Sequence, residues 1–206
     1  MSGYAQQERK ALVELLDEVG PDAPTLCEGW LARDLAAHLV LRERHPGAAL
    51  GIAVPALSSR TERVQRQIAD RPFADVLATI LDGPPALLRP FDEVMNVVEY
   101  FVHNEDVRRA EPPWEPRQLD QTLEDQIWRR LRHISRLAFR KAPVGVTLSR
   151  PTGETATAKS GSPVVVVSGK PSELVLFAFG RGDRAIVEFA GEAGAIASLK
   201  ELRLGM

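Results

Sequence analysis

From Gln6 to Val19 the apolar residues Leu12, Leu15, Leu16 and Val19 recur every three or four positions among charges. That spacing predicts an amphipathic helix, ended by Gly20-Pro21. The turn-rich stretch PDAPTLCEGW leads to a second helix, LARDLAAHLVLRER, with Leu31, Leu35, His38 and Arg42 on one side, which His45-Pro46-Gly47 stops. Ser58 and Ser59 stand where they can cap TERVQRQIAD, Pro72 opens a helical segment to about Leu81, and DGPPALLRP separates it from the next element. Phe91 to about Ala110 reads as a long helix closed by Glu111-Pro112-Pro113. Leu119 to about Lys141 reads as another, with Ile127, Leu131, Ile134 and Leu137 or Ala138 as its stripe.

After Pro143 the pattern changes. VGVTLSR, ETATAKS and PVVVVSG are short, β-branched and separated by Gly, Pro and Ser, which predicts strands of a small sheet. SELVLFAFGRG has the length of a buried strand or a buried helix. Ser172 as N-cap, Glu173 on the positive end of the dipole and Gly180 at the C-terminal turn favour a helix. AIVEFAG reads as a strand and EAGAIASLKEL as a terminal helix. The expected class is therefore α+β, with a helical domain over 1–142 and a small α+β domain over 143–206.

At 206 residues and 44% hydrophobic composition the chain can bury a sizeable core. Its net charge of −2 leaves no electrostatic footprint for nucleic acid, and RRLRH at 129–133 reads as a solvated helix face. The N-terminus lacks the apolar run of a signal peptide, and no segment approaches the roughly 18 apolar residues of a membrane span. The expectation is a cytoplasmic protein with no membrane partner. Cys27, the single cysteine, excludes an intramolecular disulfide and a Cys-rich zinc module. With no His or Lys closely preceding it, it reads as a small buried hydrophobe, with a reactive thiol as the alternative. GRGD at 180–183 and SGSP at 160–163 read as turns. Arg181 and Arg184 read as solvated charges, with contact to an anionic substrate as the alternative. No G-x-S-x-G elbow, Walker loop or dinucleotide fingerprint is present.

The stretch VVEYFVHNEDVRRAEPPW carries the chemistry. On a wheel of about 100° per residue, His103 and Asp106 fall within about 40° of Glu99, inside the apolar stripe and opposite Arg108. A surface stripe is disfavoured by that placement. Two readings stay open, a cluster of buried polar groups satisfying one another and a metal site. Glu99 and His103, at i and i+4, point the same way, and His38 from the second helix would complete an N2O set suited to Zn²⁺ or another divalent ion. Asp106 can orient His103 or pair with Arg109. His45 is a reserve ligand whose place beside Pro46 favours a helix-end role, and His133 reads as solvated.

GWLARDLAAHL, residues 29–39, resembles the GW-x-x-x-DL-x-x-HL signature of the DinB-like four-helix bundles of actinobacterial type, the group that includes mycothiol-dependent maleylpyruvate isomerase. EYFVHNED, residues 99–106, is similar to that family's second block, E-x-x-x-H-x-x-D, and the separation of roughly 60 residues agrees. The resemblance implies that His38, Glu99 and His103 bind a divalent metal, Zn²⁺ first and Ni²⁺, Mn²⁺ or Fe²⁺ as alternatives. It further implies that an open coordination position activates a low-molecular-weight thiol, mycothiol or a counterpart, toward an electrophilic substrate in a transferase or isomerase reaction. The tail resembles the small sterol-carrier-like α+β domain that follows such bundles. Family members often carry Thr or Ser where this chain has Leu31, so a helix cap is expected to be weaker here. The competing expectations are a metal-binding protein without catalysis, a metal-dependent hydrolase and, remotely, a lipid carrier.

Overall fold

Buried leucines and a terminating glycine define the first element. The computed structural model describes residues 3–54 and 57–204, and α1 runs Tyr4–Val19 with Leu12 and Leu16 fully buried. It stops where Gly20 adopts φ +81°, a conformation that costs glycine alone little. Helix α2, Ala32–Arg44, buries nine of its thirteen residues, including His38 and Glu43 on a face shared with leucines and alanines. A helix buried almost all round is a central one.

His45-Pro46 ends α2 as expected, but Pro46 then begins a further helix, α3, Pro46–Ala53. The sequence reading took this proline only as a stop. Proline is as well suited to a first helical position, because its fixed φ fits there and its missing N–H is not needed. Helices α4, Ser58–Ala69, and α5, Phe73–Leu81, follow, then a 3₁₀ turn at Arg89–Phe91 and α6, Asp92–Arg108. Ser58 and Ser59 do not cap α4. Ser58 is already its first helical residue, and the N-cap is Leu57, which offers no side-chain bond.

The chain divides into two compact units at Pro116/Arg117. In the first, α1 packs on α6 and α5, and α2 packs on α4 and α5. Leu12, Leu16, Leu35, Leu39, Ile68, Leu77, Ile80 and Tyr100 meet in one core. None of the helices described is long and apolar enough to cross a membrane.

The second unit begins with α7, Gln121–Ala138, capped by Asp120, whose carboxylate accepts the Leu123 N–H at 2.9 Å. The sequence character changes near 143, whereas the compact units part about 26 residues earlier, because Ile127, Leu131 and Ala138 bury α7 with the sheet domain. An amphipathic stripe announces that a helix has a buried side and says nothing of what covers it. The strands are β1 Gly145–Ser149, β2 Thr155–Lys159, β3 Val164–Ser168 and β4 Glu188–Ala190, in sheet order β2-β1-β3-β4. β1 pairs antiparallel with β2 and parallel with β3, and β3 pairs antiparallel with β4. Alternation is visible in β3, where Val165 and Val167 are fully buried while Val164 is exposed.

The ambiguous apolar run is helical, α8 Pro171–Ala178, and α9 Ala193–Lys200 closes the described chain. Ser172 does not act as N-cap, since Pro171 takes the first helical position and Lys170 the cap. Instead the Ser172 N–H and hydroxyl both donate to the buried carboxylate of Glu124 on α7, at 2.9 and 2.8 Å. The chain is thus an α+β protein, as its sequence indicates.

Candidate metal centre

The first unit's two central helices carry the polar groups that the sequence singled out. Every residue of α6 from Asn96 to Val107 except Glu99 is buried, and Glu99 is nearly so, so the surface-stripe reading fails on burial alone. His38 on α2 and His103 on α6 are each 8% exposed. Glu99 Oε1 lies 3.4 Å from His38 Nε2 and 3.3 Å from His103 Nε2. The three ligand atoms all fall within 4.8 Å of one another. For a tetrahedral ion with bonds of about 2.0–2.1 Å, ligand atoms stand roughly 3.4 Å apart. The donor chemistry and the two short edges therefore fit a divalent ion.

Asp106 is fully buried, and its Oδ2 accepts from His103 Nδ1 at 2.9 Å. Orienting His103 is therefore a role the structure gives it. Arg109 bonds Glu105 and stacks 4.8 Å from the Trp114 ring. With Nδ1–H held by a carboxylate, His103 turns Nε2 toward Glu99 and His38 in a fixed tautomer. The second group of potential ligands, Cys27, His103 and Asp106, uses that same Nδ1 and is already joined by hydrogen bonds. The first set is the better candidate for a cation for this reason.

Cys27 is where the sequence reading needs correction. It is half-buried, not a core hydrophobe, and its thiol donates to Asp106 Oδ2 at 3.2 Å, with Sγ 4.0 Å from His103 Nδ1. Its partners lie 76 to 79 residues away, so no inspection of its sequence neighbours could reveal them. The 20–31 loop delivers it. Leu26 N–H donates to the Asp106 carbonyl, and Thr25 Oγ1 closes the loop onto the Trp30 carbonyl at 2.8 Å. Trp30 then lies 5.0 Å, ring to ring, from His38 and walls that side of the centre. At Leu31 half of a capping box survives, because the Asp34 carboxylate still accepts the Leu31 N–H at 3.0 Å although leucine has no oxygen to return the bond.

The electrostatics are coupled. Burial, which would raise the Glu99 carboxyl, is outweighed by hydrogen bonds from His103 and His38 and by the charges of His103 and Arg42, and its pKa falls well below the ordinary value. Burial, which would lower His103, is outweighed by Asp106, Cys27 and Glu99, and the ring is held well above its usual value. Burial does win at His38, which is pushed down despite its contact with Glu99. A neutral His38 is ready to donate a lone pair, whereas a cation at this set would have to displace a proton from His103.

His45 is exposed at the end of α2, where its carbonyl accepts the N–H groups of Ala48 and Ala49, and it takes no part in the set. His133 is exposed on α7. Arg181 and Arg184 belong to the second unit, at a 3₁₀ turn after α8.

Residues 5–158 match the family model described as mycothiol maleylpyruvate isomerase N-terminal domain. No curated protein matches the sequence. Among solved structures, the crystal structure of the mycothiol-dependent maleylpyruvate isomerase is similar in fold, with a TM-score of 0.59 at 16% identity, over 94% of this chain and 98% of that one. A histidine-to-alanine mutant of the same isomerase gives the same figures.

Proposed function

The chain belongs to the mycothiol maleylpyruvate isomerase N-terminal domain family, and from that membership we propose that it is a thiol-dependent isomerase or transferase whose metal ion is held by His38, Glu99 and His103. The observation that carries this reading is the convergence of two imidazole Nε2 atoms and one carboxylate oxygen, from two central helices, within 4.8 Å of one another, with the carboxylate 3.4 and 3.3 Å from the two imidazoles. Zn²⁺ suits the N2O set best, with Ni²⁺, Mn²⁺ and Fe²⁺ compatible with the same donors.

Three protein ligands are the mark of a catalytic site rather than a closed structural one. When bound, the ion supplies a Lewis-acidic position at which a low-molecular-weight thiol of the mycothiol kind is held as thiolate at neutral pH, ready to add to an electrophilic substrate. The protein's part is positional. Asp106 fixes the His103 ring, Glu99 provides the one negative charge in the ligand set, and Trp30 covers the His38 side. Cys27 donates to Asp106 and so stands behind His103, away from the Nε2 side.

Adding such a thiol to metal-loaded protein raises the thermal midpoint, because a ligand of the folded state stabilises it by about 2.7 kcal/mol at a hundred times its dissociation constant. The shift disappears when the metal is chelated first. An equal shift with and without metal, or none for any small thiol while the metal stays bound, contradicts the proposal.

A further inference from the structure

Arg42 sits one helical turn beyond His38 on α2, and its Nε lies 3.3 Å from Glu99 Oε1, the oxygen that both histidines also approach. No element of the thiol chemistry above uses it. Its terminal nitrogens are anchored to α6, one donating to Asn96 Oδ1 and the other to the Met95 carbonyl at 3.1 Å. The Asn96 amide is held in that orientation by its own donations to Glu43 at 3.0 Å and Asp92 at 2.6 Å. Each terminal nitrogen keeps an N–H that no described residue takes up. The Arg42 side chain is 24% exposed, more than Glu99 at 18% and the two histidines at 10%. It is therefore the charged group of the centre that solvent reaches most readily.

We propose that Arg42 is the anion-selecting residue of this centre, offsetting the charge of Glu99 and offering its spare N–H groups to a carboxylate-bearing substrate. The inference rests on the metal reading above. Glu99 alone would leave a divalent ion with one net positive charge, and Arg42, clamped 3.3 Å from Glu99, restores the second, so the centre as a whole favours an anion over a neutral ligand. A planar fork fixed by Asn96 and the Met95 carbonyl loses little freedom on pairing with a carboxylate, which a lysine could not match. Arginine at this spot also bridges α2 and α6, a structural duty that any test must separate from recognition.

Cobalt-loaded wild type, Arg42→Gln and Arg42→Lys are titrated with maleate, a small dicarboxylate, and with neutral imidazole, following the visible cobalt spectrum, with cobalt content measured in parallel. Arg42→Gln is expected to weaken maleate about tenfold or more and to leave imidazole within about threefold. Arg42→Lys, which keeps the charge and loses the fork, falls between. Unchanged maleate affinity in the variants, or equal losses for maleate and imidazole, overturns the inference while leaving the metal reading intact. Should Arg42→Gln hold no cobalt, Arg42→Lys decides alone, and wild-type affinity for maleate in that variant overturns it. Failure of the wild type to take up cobalt overturns the metal reading and this inference together.

Discussion

Alanine at His38, Glu99 or His103 is expected to abolish the proposed metal binding in protein purified or reconstituted at neutral pH, whereas His45→Ala and His133→Ala are expected to keep about one ion per chain. Loss of an outer partner such as Asp106 costs roughly 10–100-fold in metal affinity, and loss of a direct ligand costs more. The two control histidines are exposed and belong to neither candidate ligand group among the described residues, so their removal changes no donor. Elemental analysis of all five variants reads the outcome directly. The charge state of the centre adds a second expectation. His103 is held protonated by Asp106 and Glu99 in the metal-free protein, so uptake releases a proton and affinity rises with pH. Full metal content in all three ligand variants would place the ion elsewhere.

A second large effect is expected at Arg9. Arg9 on α1 is 3% exposed, yet it carries a full charge among core residues. Its guanidinium meets Glu43 at 2.9 Å and Asp92 at 2.7 and 2.8 Å, and stacks 4.6 Å from the Tyr100 ring. Tyr100 and Asn96 donate to the same Glu43 oxygen. Arg9→Met keeps the apolar stem and removes the charge, leaving buried Glu43 without its cation. Breaking a buried pair from one side costs about 3–5 kcal/mol, a large share of the roughly 5–15 kcal/mol that holds a typical domain. The exposed pair of Arg33 and Asp22 is the control, since Arg33→Met removes an interaction of about 0–1 kcal/mol. Urea midpoints for the two variants should differ accordingly, and equal midpoints would contradict the account.

Acid tests the same network. Burial, which would raise the Asp92 carboxyl, is outweighed by Arg9 and Asn96, and its pKa is lowered. A group depressed on folding stabilises fully above its unfolded value of about 3.9 and loses that contribution as the pH falls through its folded value. The network therefore weakens below about pH 4, and neutral pH leaves it whole.

Periodicity made α1, α2, α6, α7 and the three longer strands legible, because each buries one face or alternates, and a repeating pattern of leucines or valines is written in the chain itself. The same holds for His38, Glu99 and His103. Titratable groups inside an apolar stripe need partners, and the wheel shows which way they point. Arg42 shares the His38 side of α2 and could have been read with it. Other features depend on what comes from far along the chain. Cys27 meets Asp106 only because a loop folds back, Ser172 bonds Glu124 instead of capping its helix, and α7 joins the sheet unit because its stripe finds its cover there. Pro46 carried two local meanings, stop and start, and the structure uses both.

The proposed thiol chemistry stands on a metal at His38, Glu99 and His103 with one position open to a thiolate. Cobalt-substituted protein titrated with a mycothiol-type thiol tests it most directly. A sulfur-to-cobalt charge-transfer band is expected that saturates with thiol, is absent with the S-methylated compound, and is lost in His103→Ala. A cobalt spectrum indifferent to every small thiol, with the ion still bound, would contradict it.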